Sequence, residues 1–296
     1  MNSKSAKRHA VVRSGCDARL PAPLVAEAVA RALAEDLGLV GDITTDATIP
    51  PDAKASGVFR TRKPGVIAGM QVAREAFRQL DSDVRFEAEV TDGSKVGART
   101  VIARVSGHAR VLLTGERVAL NFLGRMSGIA TLTRTYVDAI AGTKAHIIDT
   151  RKTTPGLRAF EKYAVRCGGG MNHRIGLFDA VLIKDNHIVA AGGIGGAMAA
   201  ARARAGHMVK IEVEVDSLDQ LDEALAARVD AVLLDNMSPD QMREAVARAN
   251  GRVILEASGG VTLASLRAIA ETGVDLISSG ALTHSAPVLD IGLDFE

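Results

Sequence analysis

From about residue 145 onward, short runs of β-forming residues alternate with helical patterns, and this alternation limits the fold more than any other feature. The strand-like runs are residues 146–149, 180–184, 210–215, 231–235, 253–256 and 276–279. The helical patterns between them cover residues 157–167, 195–204, 218–227, 239–249 and 263–272. Strands that alternate with helices predict a parallel sheet joined by right-handed crossovers.

The strand ends carry a second regularity, because each run has a polar residue at its last or next-to-last position. These residues are Asp149, Lys184, Glu214, Asp235, Glu256 and Ser279, and the last four are spaced 21 to 23 residues apart. Parallel strands of a closed barrel bring their C-terminal ends to one face, where barrel enzymes keep their active sites. An open doubly wound sheet also binds ligands at strand ends, but no Gly-x-Gly-x-x-Gly turn follows the first of these strands, which argues against a dinucleotide fold.

The first half of the chain has a different pattern. Helical spacing of apolar residues covers 22–40, 71–80 and 115–140, and strand-like runs cover 55–62, 84–90 and 100–107. A polar loop is expected at 41–46, and Gly124 and Gly128 weaken the prediction of one straight helix at 115–140. These patterns indicate helices combined with an antiparallel sheet.

Composition excludes several classes of protein. The chain of 296 residues has 36 basic and 35 acidic residues, no Trp and two Tyr, so neither a duplex DNA footprint nor stacking of single strands is expected. No run of 18 apolar residues predicts a membrane span. Residues 1–21 read as a flexible basic tail without a secretory signal, and two unlike cysteines, Cys16 and Cys167, favour a reducing, cytoplasmic location.

The region between residues 149 and 184 concentrates cations. Seven lysines and arginines fall within these 36 residues, although the formal net charge of the whole chain is only +1. Cations at strand ends and in Gly-rich turns predict a pocket for a small, multiply charged anion. Its cationic members are Arg151, Lys152, His173, Arg174 and Lys184, with Arg158, Lys162 and Arg166 in the same stretch.

A second group, at the later strand ends, is acidic. Glu214 and Asp235, with Glu212 and Glu256 nearby, could hold Mg²⁺ or accept hydrogen bonds from sugar hydroxyls. Two Gly/Ser loops follow the late strands, and such loops bind phosphate through backbone N–H groups. The loops contain Ser258, Gly259, Gly260, Ser279, Gly280 and His284.

Other interpretations of these residues remain open from the sequence. The charged strand ends could form a structural ion-pair network, and the Gly/Ser loops could be simple tight turns. Lys184 could form a Schiff base in a lyase. Cys167 is interpreted as a small buried or loop residue, because no base is fixed near it by the sequence.

Several motifs together resemble the quinolinate phosphoribosyltransferase family. The most specific are Asp-Thr-Arg-Lys-Thr-Thr-Pro-Gly-Leu-Arg from Asp149 and the run from Gly168 through Met-Asn-His-Arg to Lys-Asp-Asn-His187. Gly-Asp-Ile-Thr-Thr from Gly41, Gly-Glu-Arg from Gly115, Ile-Glu-Val-Glu-Val from Ile211 and Leu-Glu-Ala-Ser-Gly-Gly from Leu255 add to it. The resemblance covers roughly residues 22–296.

The resemblance implies an α/β fold with two domains. An N-terminal α/β sandwich would span 22–128, joined by the 286–296 tail, and an incomplete, seven-stranded parallel α/β barrel would span 129–285. It also implies decarboxylating phosphoribosyl transfer to quinolinate in NAD biosynthesis, with Mg²⁺, by a homodimer with shared active sites. A related phosphoribosyltransferase for another aromatic acid is the alternative within this fold.

The resemblance also assigns roles to residues. Arg117 of the partner protomer, Arg151, His173, Arg174 and Lys184 would bind the quinolinate carboxylates, and Lys152 would lie between the two substrates. Glu214 and Asp235 would hold Mg²⁺ and the ribose hydroxyls. The two Gly/Ser loops would take the 5′-phosphate.

Overall fold

Two sheets organise the part of the chain that the computed structural model describes, residues 19–296. Residues 1–18, most of the predicted flexible tail, lie outside the described residues. The first sheet is antiparallel, with the order β12 (Ile291–Phe295), β1 (Lys54–Thr61), β5 (Val101–His108) and β3 (Arg85–Ala88). The second is parallel, with the order β6 (His146–Ile148), β11 (Leu276–Ser278), β10 (Ile254–Ser258), β9 (Ala231–Asp235), β8 (Ile211–Val215) and β7 (Val181–Ile183). The elements before the parallel sheet are α1 (Ala22–Leu37), α2 (Ile43–Thr48), β1 (Lys54–Thr61), β2 (Gly65–Val66), α3 (Met70–Leu80), β3 (Arg85–Ala88), β4 (Lys95–Val96), β5 (Val101–His108) and α4 (Ala109–Ala139).

An aromatic cluster joins the first sheet to α3. Phe59 on β1 and Phe77 on α3 are fully buried, and their ring centroids lie 6.0 Å apart in an edge-on arrangement. Phe86 on β3 completes the cluster. Full burial of a phenylalanine contributes about 1.5–3 kcal/mol, so this cluster accounts for much of the packing between the sheet and the helix.

The prediction of a loop at 41–46 is wrong, because helix α2 begins at Ile43, within this segment. Asp42 caps the helix: its Oδ1 accepts a hydrogen bond from the Thr45 N–H at 3.0 Å, and its Oδ2 accepts one from the Thr45 hydroxyl. A six-residue helix is too short to show an apolar period, so only the capping residue could have indicated it.

Helix α4 is a single helix of 31 residues, and its glycines serve close packing. A Cβ on Gly128 would lie 2.0 Å from the carbonyl oxygen of Pro287, and Gly124 accepts a hydrogen bond from the Leu289 N–H at 3.0 Å. The chain crosses α4 at this point and continues into β12 (Ile291–Phe295), which pairs with β1. The expected boundary at 128/129 therefore falls inside a continuous helix.

All strand pairs of the second sheet are parallel, as the alternating pattern predicts. Six strands are assigned in this sheet within residues 19–296, and Met171 adds a parallel bridge to Ile148 beside β6, in place of the expected seventh strand. The elements are β6 (His146–Ile148), α5 (Arg158–Cys167), β7 (Val181–Ile183), α6 (Asp185–Ala190), α7 (Ile194–Arg204), β8 (Ile211–Val215), α8 (Leu218–Ala226), β9 (Ala231–Asp235), α9 (Pro239–Ala249), β10 (Ile254–Ser258), α10 (Leu263–Ala270), β11 (Leu276–Ser278) and α11 (Ala281–His284).

Side-chain alternation along these strands decides what faces the interior of the incomplete barrel. In β8, Ile211, Val213 and Val215 are buried, whereas Glu212 and Glu214 point to the other side of the strand. The helices cover the apolar side, so the glutamates face the interior. Among residues 19–296, no helix is both long and apolar enough to cross a membrane.

Candidate active site

A cavity of about 670 Å³ lies at the C-terminal ends of the parallel strands. Ten of the predicted site residues line it: Arg151, Lys152, His173, Arg174, Lys184, Glu214, Asp235, Ser258, Gly259 and Gly260. The lining is completed by Thr150, Leu182, Leu233, Asn236, Glu256 and Ser278. The cationic and acidic groups predicted from the sequence therefore face one another across a single cavity.

Strand alternation explains which side chains reach the cavity. Residues two apart on a strand point to the same side, and three strands each contribute such a pair. The pairs are Leu182 with Lys184, Leu233 with Asp235 and Glu256 with Ser258. Each pair places an outer polar group at the cavity mouth and an inner group deeper in the barrel, so the strand-end residues alone do not describe the site.

A buried ion pair anchors the segment that follows β6. Lys162 on α5 donates a hydrogen bond to Asp149, and both side chains are almost completely buried. Asp149 also accepts from the His173 N–H at 2.9 Å and from the Asn172 amide at 2.6 Å. Burial raises the pKa of Asp149 and lowers that of Lys162, and in both cases the ion pair opposes the shift. Lys162 is therefore structural and not one of the anion-binding cations.

A second buried carboxylate holds the loop that carries Arg151 and Lys152. Glu161 accepts hydrogen bonds from the N–H and the hydroxyl of Thr154, at 3.0 and 2.8 Å. Arg125 on α4 donates to Glu161 at 2.8 Å, and the Thr283 hydroxyl donates to the Lys152 carbonyl at 2.7 Å. The loop is thus fixed from both sides, which orients its two cations towards the cavity.

Arg151 and Arg174 form the most strongly positive part of the cavity. Within residues 19–296, the Nε of each is buried without a hydrogen-bond partner. Arg174 Nη1 donates to the Ala180 carbonyl at 3.2 Å. The pKa of Arg174 is lowered, mainly by burial and secondly by the charge of Arg151. Two adjacent guanidinium groups on one cavity wall repel each other, and an anion with more than one carboxylate is the kind of ligand that would offset their charge.

The acidic side of the cavity is connected directly to the cationic side. Lys184 Nζ lies 2.5 Å from Glu214 Oε2 across the neighbouring ends of β7 and β8. Asp235, on the next strand, accepts a hydrogen bond from the Asn236 amide at 2.9 Å. Carboxylate oxygens at adjacent strand ends are the hard donors that suit Mg²⁺ or sugar hydroxyls.

His173 lies against two inner carboxyl groups that the sequence indicated only as nearby. His173 Nε2 is 2.9 Å from Glu212 Oε2 and 3.5 Å from Glu256 Oε2. Burial lowers the pKa of His173, but the two glutamates outweigh it, so the net pKa lies above the ordinary value. Burial, and then the charge of Glu212, raise the pKa of Glu256 to about 8.

The glycine loop after β10 follows a path that a side chain would block. Gly259 has a φ of +86°, and a Cβ on it would lie 2.2 Å from Asn236 Oδ1. Asn236 is held there because its N–H donates to the Ser258 carbonyl at 3.0 Å. The backbone of Gly259 and Gly260 therefore lines the cavity directly.

Four predicted site residues do not line this cavity. Ser279 is buried beside β6, and its N–H donates to the Ile148 carbonyl. Gly280 and His284 lie next to Lys152: a Cβ on Gly280 would be 2.9 Å from Lys152 Cδ and 3.1 Å from His284 Nε2. Arg117 is exposed on α4, outside the cavity, and no ion pair links it to another described residue.

Besides Lys162, two more cations of the 149–184 region, Arg158 and Arg166, do not line the cavity. Arg158 is used structurally, since it donates to the Thr153 hydroxyl at 2.9 Å and to the Ile175 carbonyl at 3.1 Å. Arg166 is exposed on α5. The interpretation of these charges as structural thus applies to Arg158 and Lys162, while the four cations that face the cavity remain predicted site residues.

This geometry defines the class of protein as an incomplete α/β barrel with a cavity at its strand ends that is lined by cations and carboxylates. The chain matches two family models, "Quinolinate phosphoribosyl transferase, N-terminal domain" over residues 42–127 and "Quinolinate phosphoribosyl transferase, C-terminal domain" over residues 129–294. It therefore belongs to the quinolinate phosphoribosyltransferase family.

Individual relatives agree with this placement. The nicotinate-nucleotide pyrophosphorylase [carboxylating] of Mycobacterium leprae is 49% identical over 273 residues, which cover 90% of this chain and 96% of that protein. A quinolinate phosphoribosyltransferase [decarboxylating] of Nicotiana tabacum is 43% identical and covers 91% of this chain and 82% of its own length. The solved structure of the nicotinate-nucleotide pyrophosphorylase from Francisella tularensis superposes with a TM-score of 0.91 at 42% identity, covering 96% of this chain and 100% of that chain.

Proposed function

We propose that this protein transfers the phosphoribosyl group of phosphoribosyl pyrophosphate to quinolinate with loss of CO₂, giving nicotinate mononucleotide and pyrophosphate for NAD biosynthesis. The observation that carries the proposal is that the guanidinium groups of Arg151 and Arg174 lie close enough for their charges to interact and line the same cavity. A pyridine dicarboxylate supplies acceptors for both, and hydrogen bonds to charged groups contribute about 1.5–3 kcal/mol each. Lys184 adds a third cation on the same cavity wall.

The second substrate is assigned to the acidic and glycine-rich side. Glu214 and Asp235 would bind the ribose hydroxyls, and Ser258, Gly259 and Gly260 would receive the 5′-phosphate through backbone N–H groups. Ser279, Gly280 and His284 are assigned to the same phosphate, next to Lys152. Lys152 would then contact both substrates.

We assign Mg²⁺ to Glu214 and Asp235, whose oxygens suit this ion. Glu214 would share its charge between the ion and Lys184, since the ion pair with Lys184 is already formed. When bound, Mg²⁺ would supply charge neutralisation for the departing pyrophosphate.

The chemistry places few demands on side chains. The bond between C1 of the ribose and the pyrophosphate oxygen breaks with its electron pair leaving on pyrophosphate, and the ring nitrogen of quinolinate forms the new bond to C1. Carboxylates such as Glu214 stabilise the positive charge that develops on the ribose. The 2-carboxylate then leaves as CO₂, and the cationic ring nitrogen stabilises the electron pair left on the ring carbon, which takes a proton.

We further propose a homodimer in which Arg117 of one protomer completes the cavity of the other. Arg117 is exposed and does not line the active-site cavity of its own protomer, while Leu177 and Phe178, in the loop after Arg174, are 73% and 81% exposed. Leu39, Val40 and Ile43 are also strongly exposed. They adjoin the face of α4 that carries Arg117, because the Thr114 hydroxyl donates to Asp42 at 3.1 Å. A partner barrel would cover both apolar groups and receive Arg117.

Product analysis tests the reaction. Purified protein with Mg²⁺, phosphoribosyl pyrophosphate and quinolinate carboxyl-labelled at C2 should release labelled CO₂ and nicotinate mononucleotide in equal amounts. Nicotinate, with one carboxylate, is the matched control and should be a much poorer substrate. No CO₂ from folded protein, or turnover of nicotinate alone, would instead indicate a phosphoribosyltransferase for another acid.

The cellular location is a separate proposal. Two unlike cysteines in 296 residues fit a reducing compartment, so we assign the protein to the cytoplasm. Fractionation of the producing cells would test this, and recovery with membranes would contradict it.

A further inference from the structure

The guanidinium group of Arg125 lies where three segments of the chain meet. Arg125 is on α4 and does not line the cavity. Its Nη2 donates to Glu161 Oε1 on α5 at 2.8 Å and to the Thr283 carbonyl. Its Nη1 donates to the Ala286 carbonyl at 3.2 Å. One side chain on α4 therefore holds both α5 and the segment that follows β11, and the substrate roles assigned above make no use of it.

The first segment that depends on Arg125 is the loop of residues 150–154, after β6. Lys152 and Thr154 are exposed, so hydrogen bonds contribute more than packing to the path of this loop. Glu161 accepts the N–H and the hydroxyl of Thr154, and its own side chain is only 1% exposed. A carboxylate at this depth needs a cationic partner, and within residues 19–296 Arg125 is the residue that forms an ion pair with it. Arg125 thus supports the loop through Glu161.

The second segment is residues 280–286, after β11. Thr283 is fully buried in it, and its hydroxyl donates to the Lys152 carbonyl at 2.7 Å while its own carbonyl accepts from Arg125. Strands β6 and β11 are neighbours in the parallel sheet, so the loop and the segment leave the sheet side by side. Arg125 and Thr283 do not line the cavity. They therefore join the two segments to each other from outside the substrate site.

We propose that Arg125 is a positioning residue that fixes the 150–154 loop and the 280–286 segment relative to each other. The inference rests on the proposed function, which assigns cations of the loop to quinolinate and groups of the segment to the 5′-phosphate. Their spacing then sets the distance between the two substrates, and small errors in such a distance are costly to the rate. The position requires an arginine, because its planar fork serves Glu161 and two carbonyls at once, whereas lysine offers a single nitrogen.

Hydrogen exchange of backbone amides tests the proposal without turnover. Arg125→Lys keeps a positive charge beside Glu161 but releases the carbonyls, so amides of both the 150–154 loop and the 280–286 segment should exchange about tenfold faster than in the wild type. Arg202→Lys is the matched control, because Arg202 also donates to two backbone carbonyls but lies outside the cavity, and it should leave both regions unchanged. Unchanged exchange of either region in Arg125→Lys would overturn the proposal. The measurement stays decisive even if quinolinate proves not to be the substrate.

Steady-state kinetics give the functional signature. Arg125→Lys should raise the KM for quinolinate and the KM for phosphoribosyl pyrophosphate together, each about tenfold, although Arg125 contacts neither substrate. Arg202→Lys should keep both values within about twofold of the wild type. A rise in one KM alone, or no rise in either, would refute joint positioning.

A second variant covers the case in which Arg125→Lys does not fold. Thr283→Val keeps the shape of the side chain and removes the hydroxyl that donates to Lys152. The amides of the 150–154 loop should then exchange faster, and wild-type exchange there would refute the proposal. Absence of turnover by the wild-type protein would instead contradict the proposed function, and the exchange measurements would still decide the role of Arg125.

Discussion

Lys184 Nζ and Glu214 Oε2 lie 2.5 Å apart and connect the cationic and acidic halves of the cavity. Lys184 directly follows β7 and Glu214 lies on the neighbouring strand β8, so each residue holds the other in place at the cavity wall. Because each side chain is assigned to a different substrate, the ion pair links the two binding sites.

Removal of either partner should therefore affect both substrates. We expect Glu214→Ala and Lys184→Ala each to lower kcat/KM about a hundredfold or more, since each leaves an uncompensated charge in the cavity. Steady-state kinetics with each substrate varied in turn provide the measurement. Lys210→Ala is the matched control, because Lys210 pairs with Asp230 at the opposite ends of the strands. An equal loss in the control would mean that the effect is on folding and not on the site.

The shared site predicts complementation between inactive variants. Arg117→Ala and Arg151→Ala should each be inactive alone, because each removes a cation from every site. After subunit exchange, half of the dimers are hybrids with one intact site, so about one quarter of wild-type activity should return. The exchange should be followed independently with two differently tagged chains. Confirmed hybrids without activity would place Arg117 outside the active site.

The raised pKa of Glu256 predicts a pH-dependent stability. The pKa is 4.5 in an ordinary environment and about 8 in the fold, so between these values the folded state binds more protons than the unfolded state. The contribution of Glu256 to stability is therefore complete below pH 4.5 and is lost as the pH rises through 8. Urea denaturation at pH 5 and pH 9 should show a larger loss of unfolding free energy for the wild type than for Glu256→Gln. Parallel losses in the two proteins would contradict this assignment.

The chain at Pro287 passes very close to Gly128 on α4. A larger residue at position 128 should therefore lower the stability of the fold without directly affecting the active site. A Cβ there would meet the Pro287 carbonyl oxygen at 2.0 Å, so Gly128→Ala must displace the backbone and should cost about 1–3 kcal/mol of unfolding free energy. Gly195→Ala in α7 is the control, because no described heavy atom lies within 4 Å of its added Cβ and alanine favours a helix. Thermal unfolding of both variants gives the comparison. A higher midpoint for Gly128→Ala than for the control would be incompatible with this packing.

Periodicity and strand-end chemistry were sufficient to predict much of this molecule. The predicted bounds of β9 and α9 agree with the structure residue for residue; Pro239 marks the start of α9, and Asn250 follows its end in a left-handed conformation. The antiparallel first sheet and the parallel second sheet were also predicted correctly. Helix α2 was missed because its signal is a single capping side chain, Asp42.

The part of the site that the sequence did not define depends on contacts between distant strands. Glu212 and Glu256 are 44 positions apart and meet only because β8 and β10 flank β9. Lys162 carries the same charge as Lys152 but lies on the buried side of α5, where Asp149 neutralises it. Charge and spacing could not separate these two lysines, because burial by α5 is a property of the folded chain.

The pairing of β12 with β1 has a consequence for how the protein is made. Residues 291–295 are synthesised after every strand of the parallel sheet, yet they cover one edge of the first sheet. Until they leave the ribosome, that edge presents unpaired backbone groups. The first sheet is thus completed after the second, and a nascent chain that stalls before residue 291 would expose an open strand edge to other chains.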